Sequence, residues 1–401
     1  MPEAATNLAD KAALEAQLVA KAQSLAPVLA ERARRSELYR RISDQTDADF
    51  RDAGFYRALQ PARYGGMELD YGAQTAFARE LGRVCASSGW VAGILACHGW
   101  IGGMFPDEAQ GEMWADDINA AIATSFLPFG VEVERRGDDL AISGRWRFSS
   151  GVDHCRWAIL LVLVPPEGGA ALPDPVFAMV DLSDCKVEDA WNSAGLAATG
   201  SNDIVVKRTV VPPHRMMRVM DMRGDETPGS AANDSYLYRL PLFAVFPFNI
   251  IGPALGAARG ALDAVMENLT SRQTVTGADL SRVATVHQRI GRATALLVSA
   301  DAVISQLRTE IVSRGQAAEE FSMPDRARYR LNLGHVAQTC CDAVDELLPL
   351  TGGRGLETSR PMQRAWRDVH AVAQHIGLVW DLQTGLYGNV LLGDGSPDPK
   401  L

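Results

Sequence analysis

The sequence predicts a mainly α-helical chain with a β-domain set into its middle. An N-terminal helical domain covers 1–119, a β-barrel or sandwich 120–230, and a C-terminal four-helix bundle 231–401. Three observations predict this order. Apolar residues recur at helical spacing up to about residue 114, short turn-bounded apolar runs begin near 120, and long helical periodicity returns after about 235.

Leu8, Ala12, Leu14, Leu18, Ala22, Leu25 and Leu29 mark a long amphipathic helix over about 8–42. A second helix over 44–53 enters from Ser43 or Asp44 as cap and ends near Gly54. The Pro and Gly content of 59–66 reads as a loop. Helices follow over 71–84 and 87–104. The second has small residues on one face (Ala92, Gly93, Ala96, Gly99, Gly103) and contains His98 and Trp100. Pro106 starts a short helix to Trp114. Strands are expected at 120–125, 131–134, 140–143, 157–164, 176–181, 186–189 and 203–211. Helices over 248–269, 279–316, 323–348 and 361–391 make the bundle. In the first of these, Gly252, Gly256 and Gly260 lie on one face and permit close helix packing. Residues 1–7 and 393–401 are expected to be disordered.

Hydrophobic content of 47% and charged content of 22% are those of a globular protein. Lys+Arg of 39 against Asp+Glu of 49 gives a net charge of −10, and no basic run stands out, so nucleic acid is not an expected partner. No basic stretch leads into an apolar core at the N-terminus, and no run of about 18 apolar residues occurs. A cytoplasmic protein that does not cross a membrane is expected. The six cysteines are scattered with no C-x-x-C pair, which suits reduced thiols and neither a disulfide frame nor a metal site.

Trp146-Arg147-Phe148-Ser149-Ser150-Gly151 is the stretch of most chemical interest. It follows an alternating strand and precedes the buried-strand run Trp157 to Val164. Two hydroxyls and a glycine at a strand end, beside aromatic rings, suit a flat polar ligand. Alone, the same residues equally describe a strand-turn-strand.

Further motifs settle the matter in one direction. They are Ser87-Ser88-Gly89-Trp90 with His98-Gly99-Trp100; Asp153-His154-Cys155; Thr199-Gly200-Ser201-Asn202-Asp203; Thr351-Gly352-Gly353-Arg354-Gly355; and Gln363 to Asp368. In this order and spacing the chain resembles the acyl-CoA dehydrogenase fold. Within it, the chain is most similar to the oxygenase components of two-component flavin-dependent aromatic monooxygenases.

The resemblance implies a role for each matching residue. Ser150 falls where a hydroxyl meets flavin N5, with Ser149 the alternative one residue away, and Phe148 falls at a flanking aromatic. Thr199 and Ser201 lie in a loop beside the flavin. Arg272 resembles an arginine that reaches the cofactor phosphate from a neighbouring subunit. Gly352, Gly353 and Gly355 match a glycine loop lying against the cofactor across a subunit contact, which implies a homotetramer. The dehydrogenases' base, a glutamate, is replaced by Ile376, which takes no proton. His375 sits where the hydroxylases place a histidine near flavin C4a and N5, with His370 the alternative. His98 resembles a histidine that meets the substrate hydroxyl, and Trp90 and Trp100 are candidates for an aromatic pocket. Lone histidines and helical aromatics are also ordinary core residues. Arg364 and Arg367 are expected in structural ion pairs with Asp368 or Asp381.

The implied reaction uses reduced FMN or FAD and O2. A C4a-hydroperoxide forms, and its distal oxygen passes to a small aromatic, a phenol. Imidazole titrates near neutrality, so His375 is expected to stabilise or protonate the peroxide. No dinucleotide-binding βαβ unit is found, so a separate NAD(P)H-flavin reductase is implied. Oxygenation at sulfur or nitrogen, acyl-CoA dehydrogenation with a base elsewhere, and a non-enzymatic helical assembly protein are the competing readings.

Overall fold

In the computed structural model, which describes residues 8–166, 172–269, 279–398 and 400–401, the chain opens with the long helix α1 (Leu8–Tyr39). Helix α2 (Asp44–Ala53) starts and stops where its sequence says. The Ser43 hydroxyl accepts from the Thr46 N–H, and Gly54 takes φ 84°. Helices α3 (Ala73–Gly82), α4 (Ala86–Gly102) and α5 (Asp107–Trp114) follow. Every residue of α4 is buried, and its small residues are there for contact. A Cβ on Gly89 would stand 2.5 Å from the Ala78 carbonyl oxygen.

The β-domain is a sandwich. Its strands are β1 (Ile122–Ser125), β2 (Leu127–Arg136), β3 (Asp139–Ser149), β4 (Trp157–Val164), β5 (Asp174–Asp181), β6 (Lys186–Glu188), β7 (Asn202–Val211) and β8 (Met216–Arg218). One sheet has the order β1-β4-β5-β8 and the other β2-β3-β7-β6. Among the described residues only β1 and β4 pair in parallel. Trp146, Leu160, Val162, Ile204 and Val206 fill the space between the sheets. Strand β3 runs six residues past its expected end at 143, to Ser149. Its pairing with β7 shifts between Ile142 and Gly144 and again between Trp146 and Ser149. Those bulges break the apolar alternation by which the strand would have been recognised. The three-residue β8 went unanticipated.

The C-terminal region holds a short helix α6 (Leu242–Val245), then α7 (Pro247–Leu269), α8 (Ala284–Gln316), α9 (Met323–Leu347), α10 (Pro361–Ala373) and α11 (Trp380–Leu392). The glycine face of α7 lies on α3: a Cβ at Gly256 would overlap the Arg79 carbonyl oxygen, and one at Gly260 that of Arg83. The single helix expected over 361–391 is in fact two, α10 and α11, joined by a turn. No proline marks that break. Gly377 sits in the turn against Pro247, where a Cβ would come within 2.8 Å of the proline ring.

The two helical regions, expected as separate domains over 1–119 and 231–401, share one hydrophobic core, which also takes in Ile122, Trp157 and Phe177 of the β-domain. Disorder was expected at both ends. Residues 1–7 lie outside the described residues. At the other end Leu401 is buried, and its main-chain oxygen accepts from Arg326 Nη1 at 2.9 Å. Among the described residues, two helical runs are long and apolar enough to cross a membrane by length and composition. The apolar window of Leu242–Leu269 is 94% buried inside the protein, and that of α8 only 22%. All six cysteines are free thiols.

Candidate active site

The end of β3 is built by its second bulge. Phe148 takes φ 63°, a conformation rare for a non-glycine residue and of the kind that gathers at functional sites. Its ring is 58% exposed and meets Trp191 edge-on at 6.0 Å. The two serines that follow are committed to different partners. Ser149 is fully buried and donates to the Thr124 carbonyl at 3.0 Å. Ser150 accepts from Trp90 Nε1 at 3.0 Å and shares a hydrogen bond of 2.8 Å with the Ser201 hydroxyl. Ser201 in turn lies 2.7 Å from Thr199 Oγ1, which donates to the Leu196 carbonyl at 3.0 Å. The predicted residues Trp90, Ser150, Ser201 and Thr199 thus form one continuous hydroxyl chain.

The loop carrying Thr199 and Ser201 is held from several sides. Leu196 N–H donates to Asp368 of α10 at 2.7 Å. Ala198 N–H donates to Ser87 of α4 at 3.2 Å, and Gly200 N–H to the Arg40 carbonyl at 3.0 Å. Gly151 N–H closes the loop onto the strand end through the Thr199 carbonyl at 2.9 Å. Gly151 and Gly200 both have positive φ, 69° and 55°, so this backbone path favours glycine. Asn202 accepts from the Ala190 and Trp191 N–H groups and donates to Asp153 at 3.2 Å. Burial pushes the Asp368 carboxyl up to about 7.

His375 stands in the turn between α10 and α11. Its Nδ1 accepts from the Gly377 N–H at 3.1 Å, which leaves the proton of the neutral ring on Nε2. Trp90 and Phe246 flank the ring, each at 6.0 Å between centroids. Phe246 continues into Phe126 at 5.6 Å, and Phe126 into Phe243 at 5.9 Å. Desolvation first, and the positive charge of Arg330 second, push the imidazole down to about 4. This corrects the expectation of a near-neutral titration: at pH 7 the ring is an uncharged donor. Ile376 points outward, 72% exposed.

His98 is fully enclosed. Nδ1 lies 2.7 Å from the Ile122 carbonyl, so it carries the proton, and Nε2 accepts from the Thr124 hydroxyl at 2.8 Å. Burial lowers its pKa to about 4. With its lone pair engaged, this imidazole does not serve as a base toward a phenol; it supports Thr124. Trp100 is also sealed in the helical core, donating to the Leu237 carbonyl at 2.6 Å and packing on Tyr71. It belongs to that core and not to the wall that Trp90 forms. His370 faces Trp366 and lies near Asp345. Arg364 and Arg367 pair with Glu37 of α1, at 3.7 and 2.7 Å, and not with Asp368 or Asp381. Arg272 lies outside the described residues.

Gly352, Gly353 and Gly355 form a separate loop. Gly352 has φ 61°, and Thr351, Arg354, Gly355 and Arg360 line a cavity of about 320 Å³. A larger polar cleft of about 580 Å³ between α2 and the β-domain is lined by Asp47, Arg51 and Asp153, among others. Arg51 and Asp47 pair with each other there at 2.7 Å, and neither His375 nor Ser150 lines it. The sequence reading missed Phe126, Phe243 and Phe246. The aromatic run from Phe243 to Phe248 was the available signal, and α6 is too short to show a period. Arg330 was missed as well, since Arg326 and Arg328 beside it look the same in sequence.

Three features fit a planar heteroaromatic cofactor with a polar edge, as a flavin has: a hydroxyl chain, a free imidazole N–H, and a strained exposed aromatic beside a glycine-bearing turn. Among the described residues no His/Cys/Asp/Glu cluster able to hold a metal occurs.

The acyl-CoA dehydrogenase N-terminal domain family matches residues 15–121, and the acyl-CoA dehydrogenase C-terminal domain family matches residues 249–380. The FADH2-dependent resorcinol hydroxylase, oxygenase component, of Rhizobium sp. (strain MTP-10005) is 33% identical over 392 residues, covering 94% of each chain. The structure of 3-HSA hydroxylase from Rhodococcus sp. RHA1 superposes with a TM-score of 0.91 at 29% identity, covering 96% of this chain and 99% of that one. XiaF from Streptomyces sp., solved in complex with FADH2 and glycerol, gives a TM-score of 0.91 at 26% identity, covering 98% and 99%.

Proposed function

Because this chain belongs to the acyl-CoA dehydrogenase-like family, among the oxygenase components of flavin-dependent monooxygenases, we propose that it hydroxylates a small phenol with reduced flavin and O2. The observation that carries the proposal is the Trp90 indole, which hydrogen-bonds Ser150 and packs against His375. It ties the two groups with cofactor-facing chemistry into one unit. Reduced flavin, when bound, supplies two electrons, so that one oxygen atom of O2 enters the substrate and the other leaves as water.

The chain's own residues do the rest. Ser150 presents its hydroxyl to the N5 edge of the ring. Ser149 is less suited, since it is fully buried against the Thr124 carbonyl, whereas Ser150, whose hydrogen points to Ser201, keeps a lone pair that can accept from an N–H at N5. Thr199 and Ser201 hold Ser150 in its rotamer, and Phe148 flanks the ring system. His375 donates from Nε2 to the oxygen that will be transferred, and being neutral it does so without acidifying the site. Trp90, Phe246 and Phe126 exclude water and stack on the substrate. Gly352, Gly353 and Gly355, with Arg354, receive the cofactor's outlying portion from a neighbouring subunit. The enzyme is accordingly a cytoplasmic homotetramer served by a separate NAD(P)H-flavin reductase. The exposed apolar window of α8 supports subunit association.

The experiment is to mix the protein anaerobically with reduced FMN or FAD and a panel of simple phenols, then add O2. Formation of a ring-hydroxylated product from either flavin supports the proposal. Product only from organosulfur or amine substrates moves the reaction to sulfur or nitrogen. Reduction of tightly bound oxidised flavin by an acyl-CoA returns the chain to dehydrogenation. Failure to bind flavin in either redox state leaves the assembly protein.

A further inference from the structure

Arg330 of α9 is 6% exposed. Its Nη1 donates to the Phe243 carbonyl at 3.0 Å, while its Nε is buried without a partner. Among the described residues no carboxylate lies within 4.0 Å of it. The acid that acts on it through space is Asp398, and that residue is paired with Lys400 at 2.9 Å. On the same helix, Arg328 by contrast holds both Glu310 and Asp325. A buried guanidinium costs several kcal/mol unless an anion and hydrogen bonds offset the lost hydration. One carbonyl is a poor match for five donors.

The position of this cation says what the missing anion is. Phe243, whose carbonyl it holds, packs on Phe126, and Phe126 on Phe246, which flanks His375. One turn further along α9, Gly334 lies against the Leu378 carbonyl in the turn that carries His375. The charge of Arg330 is felt at the His375 ring itself. The cation therefore lies behind the aromatic cluster that flanks His375, which the proposed function makes the wall of the substrate pocket, with its Nε edge unused.

We propose that Arg330 is the anion-recognition residue of that pocket, and that the phenolic substrate carries a carboxylate which the Nε edge of the guanidinium binds. The proposal rests on the hydroxylase reading above. Side-on pairing with a carboxylate satisfies the unpartnered Nε–H and balances the buried charge, and it fixes which end of an elongated aromatic faces away from the oxygen to be transferred.

The test compares two ligands of one shape, 3-(4-hydroxyphenyl)propanoate and its uncharged amide. Binding is measured by calorimetry under anaerobic conditions, with and without reduced FMN or FAD, and turnover is measured separately. A charge-assisted pair of ordinary strength predicts that the acid binds roughly 30-fold tighter than the amide. In Arg330→Gln, which keeps a donor for the Phe243 carbonyl, that ratio falls to about one. Arg330→Lys retains a reduced preference and serves if the glutamine variant does not fold. A native ratio near one, a ratio that survives Arg330→Gln, binding of neither ligand, or a variant that loses flavin affinity in place of acid affinity overturns the assignment. Preferential binding of the acid with no hydroxylation of any phenol overturns the hydroxylase reading and leaves Arg330 as the anion site. Hydroxylation confined to neutral phenols does the reverse.

Discussion

His375 keeps one proton, on Nε2, because its Nδ1 lone pair is occupied by the Gly377 N–H and its pKa is pushed down to about 4. The folded state therefore disfavours the imidazolium. This group costs stability as pH falls from the ordinary value of 6.5 toward 4, and it is silent above that window. Between pH 5.5 and 8 the rate of hydroxylation is expected to show no inflection from His375. A histidine proton resonance titrating near 6.5 at this position would refute it. In His375→Ala flavin binding persists, product falls by about 100-fold, and hydrogen peroxide release rises correspondingly. Unchanged product yield removes His375 from the chemistry. The two serines separate in the same assay. Ser150→Ala is expected to weaken the flavin contact and uncouple the reaction, and it also costs about 1–2 kcal/mol of stability by leaving the Trp90 indole N–H without its acceptor, whereas Ser149→Ala leaves the coupling intact. Ser149→Ala leaves the buried Thr124 carbonyl short of a donor and costs about 1–2 kcal/mol of stability. The opposite pattern transfers the N5 contact to Ser149.

Helix α10 reaches the site indirectly, through the Asp368 carboxyl that accepts the Leu196 N–H. Its pKa is raised from the ordinary 3.8 to about 7 by burial, so the folded state prefers the protonated acid. Stability from this group is greatest below pH 4, declines between pH 4 and 7, and is lowest above. The difference across that window is on the order of 4 kcal/mol. Asp368→Asn keeps an acceptor oxygen for Leu196 without the charge. Its unfolding free energy is expected to be flatter with pH and to exceed the wild-type value above pH 7. A variant less stable than wild type at every pH would mean that the ionised carboxylate anchors the loop. Much of this element scale was legible beforehand. The caps of α2 and the glycine face of α7 follow from local chemistry, since a cap or a close approach needs particular residues in place. The break between α10 and α11 did not follow, because it comes from Gly377 meeting Pro247, more than a hundred residues away in sequence.

The molecule as a whole leaves an apolar face on α8, with Val298 56% exposed, and a glycine loop that no described residue covers at Gly353. Both are accounted for if subunits associate and complete one another's cofactor sites. Val298→Glu is expected to shift the protein to smaller assemblies in sedimentation velocity and to weaken reduced-flavin binding severalfold. A native monomer that binds flavin tightly would defeat this account, and so would a variant that dissociates with flavin affinity intact.

By itself the sequence determined the order of helical, β and helical regions, because hydrophobic period is a local property that each segment carries with it. Through the resemblance carried by its motifs it also pointed to Ser150, Thr199, Ser201, Trp90 and His375. Only the tertiary structure decided which of these meet. It joined Trp90 to both Ser150 and His375, and it moved Trp100 and His98 from the pocket into the core. It also set the protonation of His375 by burial and, among the described residues, left Arg330 with no carboxylate within 4.0 Å. Those outcomes depend on solvent exclusion and on contacts between distant segments, neither of which a local pattern encodes.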